Sequence, residues 1–128
     1  MKENVTSEKA YAFALRIIKL YKYMAVNYKE FVLSKQVLRS GTSIGANIEE
    51  SVHAQSKIDF IHKLSIAQKE ANETNYWIRL LRDSEYLKPK LAESLLIDCD
   101  EIQRLLAASI KTAKQNLKGD GKRGRADQ

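Results

Sequence analysis

Cysteine, proline and glycine are all scarce in this chain, and each shortage removes a class of structure. The single cysteine, Cys99, permits no internal disulfide. The fold is therefore not a cystine-stapled scaffold, and it suits a reducing compartment such as the cytoplasm. One proline and five glycines in 128 residues are too few for the many turns of an all-β protein. Long apolar runs are missing as well, because Arg16, Lys19 and Lys22 interrupt the only extended apolar stretch. The opening Met1-Lys2-Glu3-Asn4-Val5 lacks the charged-then-apolar pattern of a secretory leader. Neither a membrane span nor a leader is expected. What remains is 44% hydrophobic, enough for one core, in runs of Ala, Leu, Lys and Glu that favour helix.

Periodicity divides the chain into four helices. The first is expected from about Ser7 to Tyr28, with Thr6 or Ser7 as N-cap. Apart from Lys9, Arg16, Lys19 and Asn27 it is apolar around most of its circumference. A surface helix needs an apolar stripe only about 100° wide, so this one predicts a subunit contact in addition to a core face. The second helix, about Val32–Ala54, carries Leu33, Val37, Ile44, Ile48 and Val52 at three- and four-residue steps. Ser56-Lys57-Ile58-Asp59 resembles a capping box opening the third helix, which ends near Arg82. Pro89 fits the first turn of a fourth, striped by Leu95, Cys99, Ile102, Leu106 and Ile110. Helices about 33–42 Å long, joined by short loops, predict an all-α, up-down-up-down antiparallel four-helix bundle over residues 1–118. Residues 119–128, Gly-Asp-Gly-Lys-Arg-Gly-Arg-Ala-Asp-Gln, lack periodicity and are expected to form a disordered basic tail.

Within helix 2, Leu38–Ser51 reads L-R-S-G-T-S-I-G-A-N-I-E-E-S. Each glycine costs a helix about 1 kcal/mol relative to alanine. Gly41, Ser43, Gly45 and Asn47 therefore mark a backbone that another helix, or another subunit, approaches closely. A break near Gly41 is also consistent with the pattern. Gly41-x-x-x-Gly45 is not a phosphate loop, because no Gly-Lys-Ser/Thr follows it.

The net charge of +6 is unevenly spread, with a net +5 on residues 16–39. Antiparallel topology gathers Lys19, Lys22, Lys29, Lys35, Arg39, Arg79 and Arg82, with Lys88 and Lys90, at one pole of the bundle. Such a pole attracts polyanions through counterion release. Tyr21, Tyr23 and Tyr28 nearby could stack on exposed bases. The alternative is a solvated basic surface with tyrosines in core or interface.

A metal is the sharpest chemical rival. Glu50-x-x-His53 and Asp59-x-x-His62 flank the helix 2–helix 3 turn, as the Glu-x-x-His pairs of di-iron bundles do. Only Glu3 or Glu8 could serve from helix 1, and Ser109–Lys118, the level part of helix 4, offers no acid. Capping and surface roles are therefore favoured, and no metal or cofactor is expected. Cys99 lies on an apolar stripe and reads as core. Ser40, Ser43 and Ser51 have no His–acid partner at a readable spacing, so no enzymatic activity or small-molecule substrate is expected.

Two blocks, Leu38–Ser51 and D-F-I-H-K-L-S-I-A-Q-K-E-A-N-E-T-N-Y-W over Asp59–Trp77, resemble the four-helix bundle proteins encoded in intervening sequences of bacterial 23S ribosomal RNA genes. The resemblance covers roughly Val5–Ala113. It implies a homopentameric four-helix bundle, similar in fold to the basic accessory variability protein of diversity-generating retroelements, which works with a reverse transcriptase and nucleic acid. Fivefold repetition would multiply the field of the basic pole. Two expectations follow: a basic oligomer binding RNA or DNA, with RNA favoured, or a purely structural assembly whose partner is another protein.

Overall fold

The computed structural model describes residues 2–126, with side chains described over 5–119. Four helices follow one another as α1 (Lys2–Tyr28), α2 (Leu33–Val52), α3 (Lys57–Asp83) and α4 (Pro89–Ala126). Contacts across the helices run in opposite senses along each neighbouring pair. Ser7 meets Glu49 and Ile17 meets Gly41; Ser40 meets Thr74 and Glu50 meets Lys63; Ala71 meets Cys99; Lys9 meets Glu101 and Arg16 meets Asp98. The arrangement is an all-α, up-down-up-down antiparallel bundle. No described helix is long and apolar enough to cross a membrane.

The core is the inward stripe of each helix: Phe13, Ile17 and Met24; Val37, Ile44 and Ile48; Leu64, Ile78 and Leu81; Leu95, Ile102 and Leu106. Three- and four-residue spacing places these side chains on one face per helix, which is why the periodicity was readable. Buried polar contacts also cross between helices: the Thr74 and Ser40 hydroxyls share a hydrogen bond of 2.9 Å, and the Cys99 thiol donates to the Ala71 carbonyl at 3.3 Å.

Helix termini depart from the expected boundaries for local reasons. α1 begins at Lys2 and not near Ser7, so the proposed N-cap residues lie inside it; Thr6 is buried and the Ser7 hydroxyl donates to Glu49 at 2.7 Å. α2 runs through Gly41 without a break. Its N-terminus is capped from upstream, as the Glu30 carboxylate accepts from the N–H groups of Leu33 (2.7 Å) and Ser34 (3.1 Å). Ser56 caps α3 by accepting from the Asp59 N–H at 3.0 Å. The Asp59 carboxylate reaches back to the Gln55 N–H at 3.4 Å, one residue upstream of a regular capping box. α4 continues past Lys118, where the periodicity ends, to Ala126. Of the expected tail, 119–128, residues 120 onward lie outside those whose side chains are described.

Candidate nucleic-acid interface

The end of α1, the start of α2, the end of α3 and the start of α4 meet at one pole. Both helix exits there turn on a non-glycine residue in the left-handed region, Lys29 at φ 50° and Glu85 at φ 68°. Lys29 closes α1 with its N–H on the Ala25 carbonyl at 3.1 Å. Glu85 closes α3 in a Schellman arrangement, with Tyr86 N–H on Leu81 O at 2.9 Å and Glu85 N–H on Arg82 O at 3.1 Å. An L side chain in this conformation is disfavoured by about 1–2 kcal/mol, so the pole keeps a lysine where glycine would be easier.

The seven basic residues expected at the pole separate into two groups. Lys19, Lys22, Lys29 and Lys35 are exposed and form no ion pair with a described residue; Lys88 and Lys90 behave likewise. The three arginines are engaged within the chain. Arg39 reaches across to α3, with Nη2 2.9 Å from Glu73 Oε1 and Nη1 3.7 Å from Glu70. Arg79 donates to the Asn75 side chain at 2.8 Å and holds its guanidinium 5.8 Å from the Tyr76 ring centroid. Arg82 makes a two-toothed contact with Asp83, Nε at 2.8 Å and Nη2 at 3.3 Å. That hydrogen bond raises the Arg82 pKa and lowers that of Asp83. Glu30, in the α1–α2 connection, is turned onto the α2 N-terminus.

Three tyrosines gather between the two turns. Tyr28, the last residue of α1, lies edge-on to Tyr86 of the α3–α4 connector, with centroids 5.2 Å apart and planes at 88°. Tyr23, one turn earlier, lies 6.0 Å from Tyr28 at 69°. The hydrogen bond that the Tyr28 hydroxyl donates to Tyr23 is the main reason it titrates above its ordinary range. Tyr23, Tyr28 and Tyr86, with Arg82, Lys88 and Pro89, line a cleft of about 500 Å³. Tyr86 was not picked out from sequence, because nothing in its spacing tells that the connector folds back onto α1. Tyr21 is half-buried and stands outside this group.

The small residues of α2 face neighbours within the same chain. A Cβ on Gly41 would stand 2.8 Å from Ile17 Cγ1, whereas one on Gly45 would meet Ala10 Cβ at an ordinary 3.6 Å. Ser43 and Asn47 make in-helix bonds, Ser43 Oγ to Arg39 O at 2.6 Å and Asn47 Nδ2 to Ser43 O at 2.8 Å. The acids of the di-metal alternative are used elsewhere: Glu50 pairs with Lys63 at 2.9 Å and the Asp59 carboxylate accepts from the Gln55 N–H at 3.4 Å. Among the described residues no group of three or more His, Cys, Asp or Glu side chains could hold a metal ion. Cys99 is buried, its Sγ 3.3 Å from Ala71 O, and burial pushes its pKa up to about 12, which removes nucleophilic character at neutral pH.

No curated protein matches this sequence. A crystal structure of a protein of unknown function from the S23 ribosomal protein family, from Bacteroides thetaiotaomicron, is similar to it. The two are 56% identical with a TM-score of 0.85, over 87% of this chain and 99% of that one. The profile described as 23S rRNA-intervening sequence protein matches residues 2–108. That span takes in α1, α2, α3 and the first half of α4, and the chain belongs to the 23S rRNA-intervening sequence protein family.

Proposed function

We propose that this protein is a non-enzymatic, oligomeric, basic four-helix bundle that binds nucleic acid, RNA in preference, at the pole where α1 and α3 end. The observation that carries this reading is the set of exposed lysines, Lys19, Lys22, Lys29 and Lys35, without carboxylate partners among the described residues. Charges already paired within the fold release little when a polyanion arrives, whereas free ammonium groups replace condensed counterions directly. The preference for RNA follows the family's link to 23S rRNA intervening sequences. Contacts of this kind position a strand and carry little sequence information.

The test is a titration with unrelated RNA and DNA fragments across a range of salt. Affinity should be similar among sequences and fall by about 0.7–0.9 log units per log unit of salt for each phosphate neutralised. The triple variant Lys22→Glu, Lys29→Glu, Lys35→Glu should lose binding and keep its helicity. A variant that binds as the wild type does would remove the pole from consideration. A purely structural assembly is the second reading, favoured by the exposed apolar side of α1, and complete absence of binding at low salt would leave it standing alone.

A further inference from the structure

We propose that the Tyr23–Tyr28–Tyr86 cleft seats an unpaired nucleobase, so that the strand bound at the basic pole is single-stranded. This rests on the nucleic-acid reading above and adds the form of the ligand to it. In a duplex both faces of every base are covered by their neighbours, and only a single strand, loop or end can offer a base face to a protein ring.

The three rings are arranged to receive one. Edge-to-face contacts hold Tyr28 against Tyr86 and Tyr23 against Tyr28, which fixes the rings without stacking one upon another. Tyr28 is 46% exposed and Tyr23 37%, so ring surface stays open to solvent. The cleft of about 500 Å³ between them adjoins a second hollow of about 330 Å³ on the α1–α4 side. Tyr23 lines both; the second is completed by Arg16, Lys19, Leu20, Leu91 and Leu95. A track therefore runs from the pole down the α1–α4 seam, with Tyr23 at its middle.

Charge selects the side on which the sugar–phosphate backbone passes. Lys88 lines the cleft and Lys19 the second hollow, and neither has an ion-pair partner among the described residues. Arg82 is occupied by Asp83, and Glu85 on the α3 side repels phosphate. The backbone is thus directed along Lys19 and Lys88 while the base turns inward onto the tyrosines. This combination of a basic track and aromatic platforms is how proteins take single strands with little sequence preference.

The experiment uses the full chain with an oligoribonucleotide carrying 5-iodouridine, single-stranded or annealed to its complement, at low salt. Irradiation should cross-link the single strand to a peptide bearing Tyr23, Tyr28 or Tyr86, and the single strand should bind more tightly than the duplex. Tyr28→Ala should weaken single-strand binding roughly 5- to 150-fold, the range expected for one stacked base, and duplex binding less. Equal affinity for both forms, or cross-links that map elsewhere, would overturn the cleft and leave the basic pole intact. Binding to neither form would overturn both. Should Tyr28→Ala lose helicity, the wild-type cross-link map still decides.

Discussion

Gly41 on α2 lies so close to Ile17 on α1 that a Cβ added to the glycine would stand 2.8 Å from Ile17 Cγ1 and 2.9 Å from Cγ2. Ile17 is fully buried and β-branched, with one strongly preferred rotamer in a helix. It cannot swing aside. Gly41→Ala should therefore destabilise the bundle by about 1–3 kcal/mol of overpacking, less the roughly 1 kcal/mol that alanine returns in helix propensity. Gly45→Ala meets only ordinary contact and should be neutral or stabilising by up to about 1 kcal/mol. Denaturant melts of the two variants check the contrast, and equal effects would refute the close-packing account.

The sequence announced that a close approach existed, because two glycines in a helix demand a reason. It could not say which glycine carries the contact or that the neighbour is α1, since that depends on the rotation of one helix about another. The stripes of Val37, Ile44 and Ile48 or Leu95, Ile102 and Leu106 were readable because burial repeats at the helical period. Pairings of long polar side chains were not. Arg39 finds Glu70 and Glu73 on the opposite helix, and Lys35, four residues earlier, finds no partner among the described residues; both look alike as charges in a string. The tyrosine cleft was half legible: Tyr23 and Tyr28 stand near each other in sequence, whereas Tyr86 arrives through the fold of the α3–α4 turn.

Lys29 and Glu85 share a left-handed backbone, and only the lysine is a proposed phosphate contact, Glu85 lining the cleft as a repelling charge. Replacing either by glycine relieves the same steric conflict, so Lys29→Gly and Glu85→Gly should each raise stability by about 1 kcal/mol. Only Lys29→Gly should weaken RNA binding. Thermal melts together with a binding titration separate the two effects. If Lys29→Gly binds as well as wild type, the side chain contributes nothing to the interface.

Cys99 is the buried thiol of α4, with burial holding its pKa up to about 12 against an ordinary value of 9.0. A raised folded-state pKa means that its contribution to stability is complete below about pH 9 and declines as pH climbs toward 12. Iodoacetamide at neutral pH should label the native protein only as fast as it opens, and denaturant should release the thiol at once. Between about pH 8 and 10.5 the wild type should lose more stability than Cys99→Ala, because the unfolded wild-type chain gains a thiolate. Rapid labelling of the native state would show that Cys99 is reached from solvent.

The outer side of α1 carries Tyr11, Leu15 and Val26, exposed by 67%, 48% and 79%, in line with half-buried Ile18 and interrupted by the exposed Lys22. They lie opposite Phe13, Ile17 and Met24, which face the core. A helix apolar on both sides has one face left over after the bundle has formed, and each large side chain on it contributes about 1.5–3 kcal/mol when fully buried. A second copy of the chain covering this face would join successive protomers, and such contacts close into a ring when they are head-to-tail. Leu15→Glu with Val26→Glu should release monomers, as measured by light scattering at micromolar concentration, while circular dichroism and the melting temperature of the monomer remain those of a folded bundle. The pentamer expected from the family resemblance would put the wild-type mass at five chains. A wild-type monomer would remove the assembly, a dimer or tetramer would change its symmetry, and a double variant that keeps the wild-type mass would move the interface to another face.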